Sequence, residues 1–236
     1  MDANNVVVIT GASKGIGKTL VEFYLGKGCT VHGCSRGEAT ISHPLYLHDQ
    51  VDLTEEMQIM SWVRRIRKAS QRIDVLICNA ADTSANMLAA STSAQKLNQI
   101  MAVNFGGTYI ACREVSKVMM LQKYGRIINV SSMSVGLHEE GTSAYSASKS
   151  AIVEFTKILA KETARFNITC NVIAPSVYLS AQVEETLGKD ILDHALSRLT
   201  IQRALTDEDI CHTVDYLSSP LSGQVTGQVI HLGLVA

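Results

Sequence analysis

Val6-Val7-Val8-Ile9-Thr10-Gly11-Ala12-Ser13-Lys14-Gly15-Ile16-Gly17 is the stretch on which the fold turns. Its first five residues are all β-branched, the composition of a strand buried on both faces. Glycines 11, 15 and 17 follow, and the helical pattern Ile16–Lys27 begins among them. Such a loop turns tightly and approaches a phosphate without interference from Cβ, and the helix N-terminus behind it offers unsatisfied N–H groups. The spacing is G-x-x-x-G-x-G rather than G-x-G-x-x-G. Placement between strand and helix, more than the glycines themselves, points to a dinucleotide site.

The same alternation continues outward. Thr30–Ser35, Ile73–Asn79, Arg126–Ser131 and Ile168–Ala174 are apolar runs of strand length, and Glu55–Ser70, Ser93–Gln122 and Ala144–Phe166 carry helical periodicity. Thr54-Glu55-Glu56-Met57 reads as a helix start, with Thr54 as N-cap and acidic residues complementing the helix dipole. Repeated strand–helix–strand units predict a doubly wound α/β sheet with right-handed crossovers. Only Pro44, Pro175 and Pro220 occur, and no Pro/Gly/Ser-rich linker divides the chain, so a single domain over residues 1–236 is expected. Ser176–Thr206 breaks the rhythm with polar residues and two short amphipathic pieces, Val183–Leu187 and Ile191–Leu199. Polar segments beyond a strand's carboxyl end are where open α/β sheets hold ligands, so the substrate pocket is expected there.

Composition narrows the function classes. A net charge of −1 over 236 residues gives no broad attraction to nucleic acid or anionic membrane. Six cysteines are scattered without a C-x-x-C pair, which argues against a zinc ribbon, a thioredoxin-type motif or a disulfide scaffold, and no metal site is expected. The polar N-terminus lacks the features of a signal peptide, and no apolar run approaches the ~20 residues that span a bilayer. These features predict a soluble, cytoplasmic protein.

Tyr145-Ser146-Ala147-Ser148-Lys149 carries chemistry. On a helix, positions four apart share a face, so phenol and ammonium stand side by side. A nearby cation lowers a tyrosine pKa from ~10 toward neutrality, which makes Tyr145 a general acid or base. Thirteen residues before it, the strand Arg126–Ser131 ends in the paired hydroxyls of Ser131 and Ser132. A serine there can donate to a carbonyl held beside the phenol; either hydroxyl can instead cap backbone groups.

Over nearly its full length the chain resembles the short-chain dehydrogenase/reductase family, in its compact single-domain form. The matching residues are the Thr10–Gly17 loop, Asp52, Asn79-Ala80, Asn104, Ser132, Tyr145, Lys149, Asn171 and Pro175, in that order. The resemblance implies a Rossmann-type fold, with a seven-stranded, mostly parallel sheet and helices on both faces. It implies a catalytic set of Asn104, Ser132, Tyr145 and Lys149. In that set Tyr145 exchanges the proton and Ser132 polarises the carbonyl. Lys149 holds the nicotinamide ribose and lowers the Tyr145 pKa, and Asn104 anchors a water leading from Lys149 to solvent. Gly11, Ser13, Lys14, Gly15, Ile16, Gly17, Asn79, Ala80, Pro175, Tyr178 and Ser180 are implied as cofactor contacts, together with Tyr145 and Lys149, and Asp52 would face the adenine.

Cofactor choice follows from charge. NAD enzymes of this fold present a carboxylate after the second strand; here the stretch is Cys34-Ser35-Arg36-Gly37. Arg36 can fork onto a 2′-phosphate, and with Lys14 it forms the basic pair that marks NADP(H) in the family. Several positions depart from the family pattern. Cys78-Asn79-Ala80-Ala81 stands for Asn-Asn-Ala-Gly, Ser176 for a glycine, Tyr178 for a β-branched residue, and Leu232-Gly233-Leu234 for Asp-Gly-Gly.

The reading expected first is an NADPH-dependent carbonyl reductase most like 3-oxoacyl-carrier-protein reductases, acting on a 3-oxoacyl thioester. Alternatives are an alcohol, sugar or steroid dehydrogenase and, more remotely, a non-catalytic dinucleotide-binding regulator. Lys123, Arg126 and Arg165 are candidate contacts for an acidic carrier. The resemblance also implies a homotetramer or homodimer assembled through the fourth and fifth helices and the last strand.

Overall fold

The computed structural model describes residues 4–84, 87–179 and 189–235. Its strands are β1 (Val6–Thr10), β2 (Thr30–Ser35), β3 (Tyr46–Gln50), β4 (Val75–Cys78), β5 (Gly125–Val130), β6 (Ile168–Pro175) and β7 (Val229–Leu232). They form one sheet in the order β3-β2-β1-β4-β5-β6-β7. Every neighbouring pair is parallel, so the expected "mostly parallel" sheet is parallel throughout. The order runs one way from β1 to β3 and the other way from β4 to β7. This reversal beside β1 makes a crevice above the strands' carboxyl ends.

The helices are α1 (Gly15–Gly26), α2 (Glu56–Ser70), α3 (Ala94–Met101), α4 (Gly107–Gln122), α5 (Ser134–Leu137), α6 (Ser143–Thr163), α7 (Lys189–Ser197) and α8 (Asp207–Ser218). Alternate strand residues feed two cores. Val6, Val8, Leu76 and Ile127 pack with Trp62 and Ile66 of α2, Val115 and Met119 of α4, and Leu159 of α6. Val7, Ile9, Val75, Ile77 and Ile128 pack with Leu20 and Tyr24 of α1 and Val214 and Leu217 of α8. Burial on both faces explains the unbroken β-branched runs. All six cysteines are free and buried.

The structure refines several sequence expectations. β3 and β7 occupy the sheet edges and are largely half-buried, so neither needs an apolar run to announce it. The Ser93–Gln122 pattern is not one helix: a π-helical turn at Ala102–Gly106 separates α3 from α4, with Gly107 N–H donating to Ala102 O. Thr54 is not the N-cap of α2. Its hydroxyl donates to Asp52 Oδ1 at 2.8 Å, and the cap position passes to Glu55. Arg126 is not a surface contact for a carrier. It is 2% exposed, and its guanidinium donates to the carbonyls of Gly125, Asn167, Ser219 and Pro220. Lys123 and Arg165 are exposed, as expected. Among the described residues no helix is long and apolar enough to cross a membrane, and no cluster of ligand-type side chains could hold a metal ion.

Candidate active site

The glycine loop is fastened on two sides. Gly11 and Ala12 N–H groups donate to Cys34 O at 2.9 and 3.1 Å, tying the loop to β2. On the β4 side, Asn79 Nδ2 donates to Thr10 O and Gly11 O, both at 3.2 Å, and the Asn79 and Ala80 N–H groups donate to the Thr10 hydroxyl. Asn79 thus positions the loop through its side chain. A Cβ at Gly17 would collide with Gly11 O, which is why the helix can begin so close to the strand.

A phosphate fits the space this leaves. Lys14, the N-cap of α1, lies in extended conformation without a capping side chain, and the first turn contains no carboxylate. Gly15 has φ +52°, and a Cβ there would meet nothing within 4 Å. The first-turn N–H groups therefore face an open, side-chain-free cradle of positive potential. Ser13 is half-buried, and its carbonyl accepts from Thr40 Oγ1 at 2.9 Å. Ile16 packs partly against the α1 core. At the far end of the crevice Arg36 is exposed on the turn after β2. Asp52 accepts from Thr54 N and Oγ1, which, with a smaller contribution from nearby Arg36, holds its carboxyl below the usual range. Carboxylate and guanidinium thus stand near one another at this end of the crevice.

The residues expected to transfer the proton sit above β5. Among the paired hydroxyls the division of labour is clear. Ser131 Oγ is buried and donates to Lys149 O at 3.3 Å, whereas Ser132 Oγ accepts from Ser134 N at 3.2 Å and lies near enough to the Tyr145 phenol to favour its ionised form. Met133 N donates to Pro175 O at 3.0 Å, pinning the serine loop to the end of β6. Tyr145 and Lys149 share one face of α6, with Lys149 Nζ over the Tyr145 ring, 5.7 Å from its centroid. Lys149 is 2% exposed, and its ammonium donates to Val130 O at 2.7 Å.

Burial governs the titration of both groups. Desolvation disfavours the ammonium and pulls Lys149 down to about 8. It also pushes the Tyr145 phenol above its ordinary value, with the Ser132 hydroxyl pulling the other way. The expected lowering of Tyr145 by Lys149 is therefore not what this geometry gives. The ammonium is engaged with Val130, and at the phenol burial outweighs the influence of Ser132.

Asn104 is fully buried in the π-helical turn. Its Oδ1 accepts from Asp82 N at 2.7 Å, and its Nδ2 donates to Asp82 O at 3.2 Å and to Ser148 Oγ at 3.0 Å. Ser148 Oγ in turn donates to Tyr145 O at 2.6 Å. Asn104 thus reaches the catalytic helix through Ser148. The signal for Ser148 lay in the Tyr145–Lys149 motif, one residue before the lysine, but no role was assigned to it there.

The nicotinamide end differs most from expectation. Pro175 closes β6, one residue beyond the expected strand end. The Tyr178 phenol is held by α1 and α8. The hydroxyl donates to Asp207 Oδ1 at 2.7 Å and is bonded to Thr19 Oγ1 at 2.9 Å, joining α1 to α8. Its backbone forms a parallel bridge with Leu205, where Leu205 N donates to Val177 O at 2.8 Å. Ser176 Oγ is buried and finds no hydrogen-bond partner among the described residues, close to Gly233. Ala81 is exposed. Ser180 and Val183–Leu187 lie outside the described residues.

The model of the short chain dehydrogenase family matches residues 5–191. The chain belongs to the short-chain dehydrogenase family. Among its relatives, the 3-oxoacyl-[acyl-carrier-protein] reductase FabG of Vibrio harveyi is 30% identical over 233 residues, covering 96% of this chain and 95% of that protein. The structure of ElxO with NADP bound superposes with a TM-score of 0.91 at 26% identity, covering 97% of this chain and 96% of that one. The aldohexose dehydrogenase of Thermoplasma acidophilum gives a TM-score of 0.89 at 25% identity, covering 98% and 94%. Membership makes this chain an oxidoreductase of the short-chain dehydrogenase class.

Proposed function

We propose that this short-chain dehydrogenase is an NADPH-dependent carbonyl reductase whose substrate is a 3-oxoacyl thioester. The observation that carries the reduction is the convergence of the Ser132 hydroxyl and the Tyr145 phenol, with Lys149 on the same helix face. The cofactor is NADP(H). Gly11, Ser13, Gly15 and Gly17 and the N-terminus of α1 would hold its diphosphate, Arg36 and Lys14 its 2′-phosphate, and Asp52 would face its adenine. The open Gly15 face and the absence of any acid in the Ser35–Gly37 turn support this assignment.

When bound, NADPH supplies a hydride to the carbonyl carbon. Ser132 donates a hydrogen bond to the carbonyl oxygen and orients it. Tyr145, neutral because burial raises its pKa, gives its proton to that oxygen as it becomes an alcohol. The Lys149 ammonium stabilises the phenolate left behind until solvent returns a proton. Asn104 holds the Tyr145–Ser148 turn in place from below.

The thioester reading rests on the relatives named as 3-oxoacyl-[acyl-carrier-protein] reductases. A sugar or other alcohol dehydrogenase is the second reading. It is favoured by the likeness to aldohexose dehydrogenase and by the polar Ser176 in place of the family's glycine. NADPH oxidation measured against 3-oxoacyl thioesters, simple ketones and ketosugars separates the two. Tyr145→Phe should lower turnover by about 10²–10⁴-fold while NADPH still binds. A fully active variant overturns the catalytic assignment.

A further inference from the structure

The described residues include a chain of side chains, outside the catalytic group, that reaches the Arg36 turn from the sheet edge. His48 lies on β3 opposite Gly33 of β2, and its Nε2 is 3.1 Å from Gly37 O and 3.1 Å from Ser35 Oγ. Tyr46 OH is 2.8 Å from His48 Nδ1. The tautomer follows from elementary bonding. A carbonyl only accepts, so His48 Nε2 carries the hydrogen, Nδ1 of the neutral ring accepts, and Tyr46 OH donates. Burial pushes the Tyr46 phenol up to about 12, so it keeps that hydrogen. Ser35 Oγ donates to Gly37 O at 3.0 Å, leaving its lone pairs free to receive His48 Nε2–H.

Space has been made for this relay. A Cβ at Gly33 would collide with the Tyr46 hydroxyl and with Ala12 Cβ. Thr40 Oγ1 closes the other side by donating to Ser13 O at 2.9 Å, joining the segment after Arg36 to the glycine loop. Between them lies a cavity of about 510 Å³ lined by Thr40, Ile41, His43, Tyr46 and His48. Arg36 itself is exposed, and no hydrogen bond fixes its guanidinium among the described residues. The backbone that carries it is held by Val51 N–H, which donates to Ser35 O at 2.9 Å, and, beyond Ser35, by the relay beneath Ser35–Gly37.

We propose that His48 is a positioning residue for cofactor choice: the Tyr46–His48 relay sets the Ser35–Gly37 turn so that Arg36 meets the 2′-phosphate. This deepens the NADPH reading and rests on it. The relay acts on the one group that distinguishes NADPH from NADH, so its loss weakens NADPH and spares NADH. General damage to the loop would weaken both.

The test is the dissociation constant of each cofactor, by fluorescence titration, on the full chain. His48→Phe keeps the ring's bulk without a donor and should weaken NADPH about tenfold with NADH unchanged. His48→Gln, whose amide N–H reaches toward the Nε2 position, should restore most of the selectivity. Tyr46→Phe should lower it more mildly, and it serves in place of His48→Phe if that variant does not fold. A folded His48→Phe or Tyr46→Phe with the wild-type NADPH/NADH ratio overturns the proposal. Wild-type protein that binds the two cofactors equally, with Arg36→Ala changing neither, overturns the NADPH reading itself.

Discussion

Lys149 shows what the catalytic arrangement costs. An ammonium 2% exposed, with Val130 O as its hydrogen-bond acceptor, titrates at about 8, against ~10.4 for a free lysine. Between those values the unfolded chain binds more protons than the folded one, so this group makes stability rise with pH. Below pH 8 the burial penalty is present in full. Lys149→Met should remove that slope and leave the protein more stable at pH 7 by about 2 kcal/mol, after allowing for the lost hydrogen bond. Turnover should fall by about 10²-fold or more at the same time. Urea titrations of both proteins at pH 7 and pH 10 test this: equal pH slopes would mean that Lys149 is not a strained buried cation. The same titration bears on catalysis. Reduction needs a neutral Tyr145 and a charged Lys149, so kcat/KM for reduction should decline as pH rises through about 8.

At the scale of elements, the Tyr178 clasp joins both feet of the segment expected to form the substrate pocket. Tyr178 stands at its entry and Leu205 at its exit, and Thr19 and Asp207 bind the phenol to α1 and α8. The exit is secured further by the Thr206–Asp209 capping box and by Arg203, which grips Asp209 with two hydrogen bonds. Tyr178→Phe should cost about 1 kcal/mol and loosen the entry selectively. The Leu205 amide should then exchange hydrogen faster, and KM for the carbonyl substrate should rise more than kcat falls. Unchanged Leu205 protection would show that the clasp does not hold the bridge.

This element also marks where the sequence stopped being legible. β1 is readable residue for residue, because burial on both faces leaves a continuous β-branched run. Ser132, Tyr145 and Lys149 were readable because strand end and helix face bring them together at fixed spacings. The hydrogen bonds of Tyr178 are not legible in the same way. Its actual partners lie 159 and 29 residues away, and sequence spacing does not encode such contacts. The π-helical turn at Asn104 was hidden for another reason, since periodicity continues almost unchanged through one extra residue.

For the whole molecule, the two helical layers leave different surfaces. On the α4–α6 side, Phe105, Tyr109 and Phe155 form a ring cluster, with Tyr109–Phe155 centroids 4.8 Å apart. Tyr109 is 42% exposed, and Ile158 on α6 is 51% exposed. Exposed large apolar side chains on two helices are candidates for cover by a partner. A second copy meeting this face through the same patch would bury it by two-fold symmetry, as the family resemblance anticipates. Light scattering at micromolar concentration should therefore give a multiple of the 25.6 kDa chain mass. Tyr109→Glu combined with Ile158→Glu should return it toward the single-chain value, because each charge would have to be desolvated opposite its own copy. Neither side chain belongs to the catalytic group, so the dissociated form should still bind NADPH at its glycine loop. A single-chain mass for the unaltered protein would instead mean that these side chains face solvent, and that the crevice above β1 and β4 works without a partner.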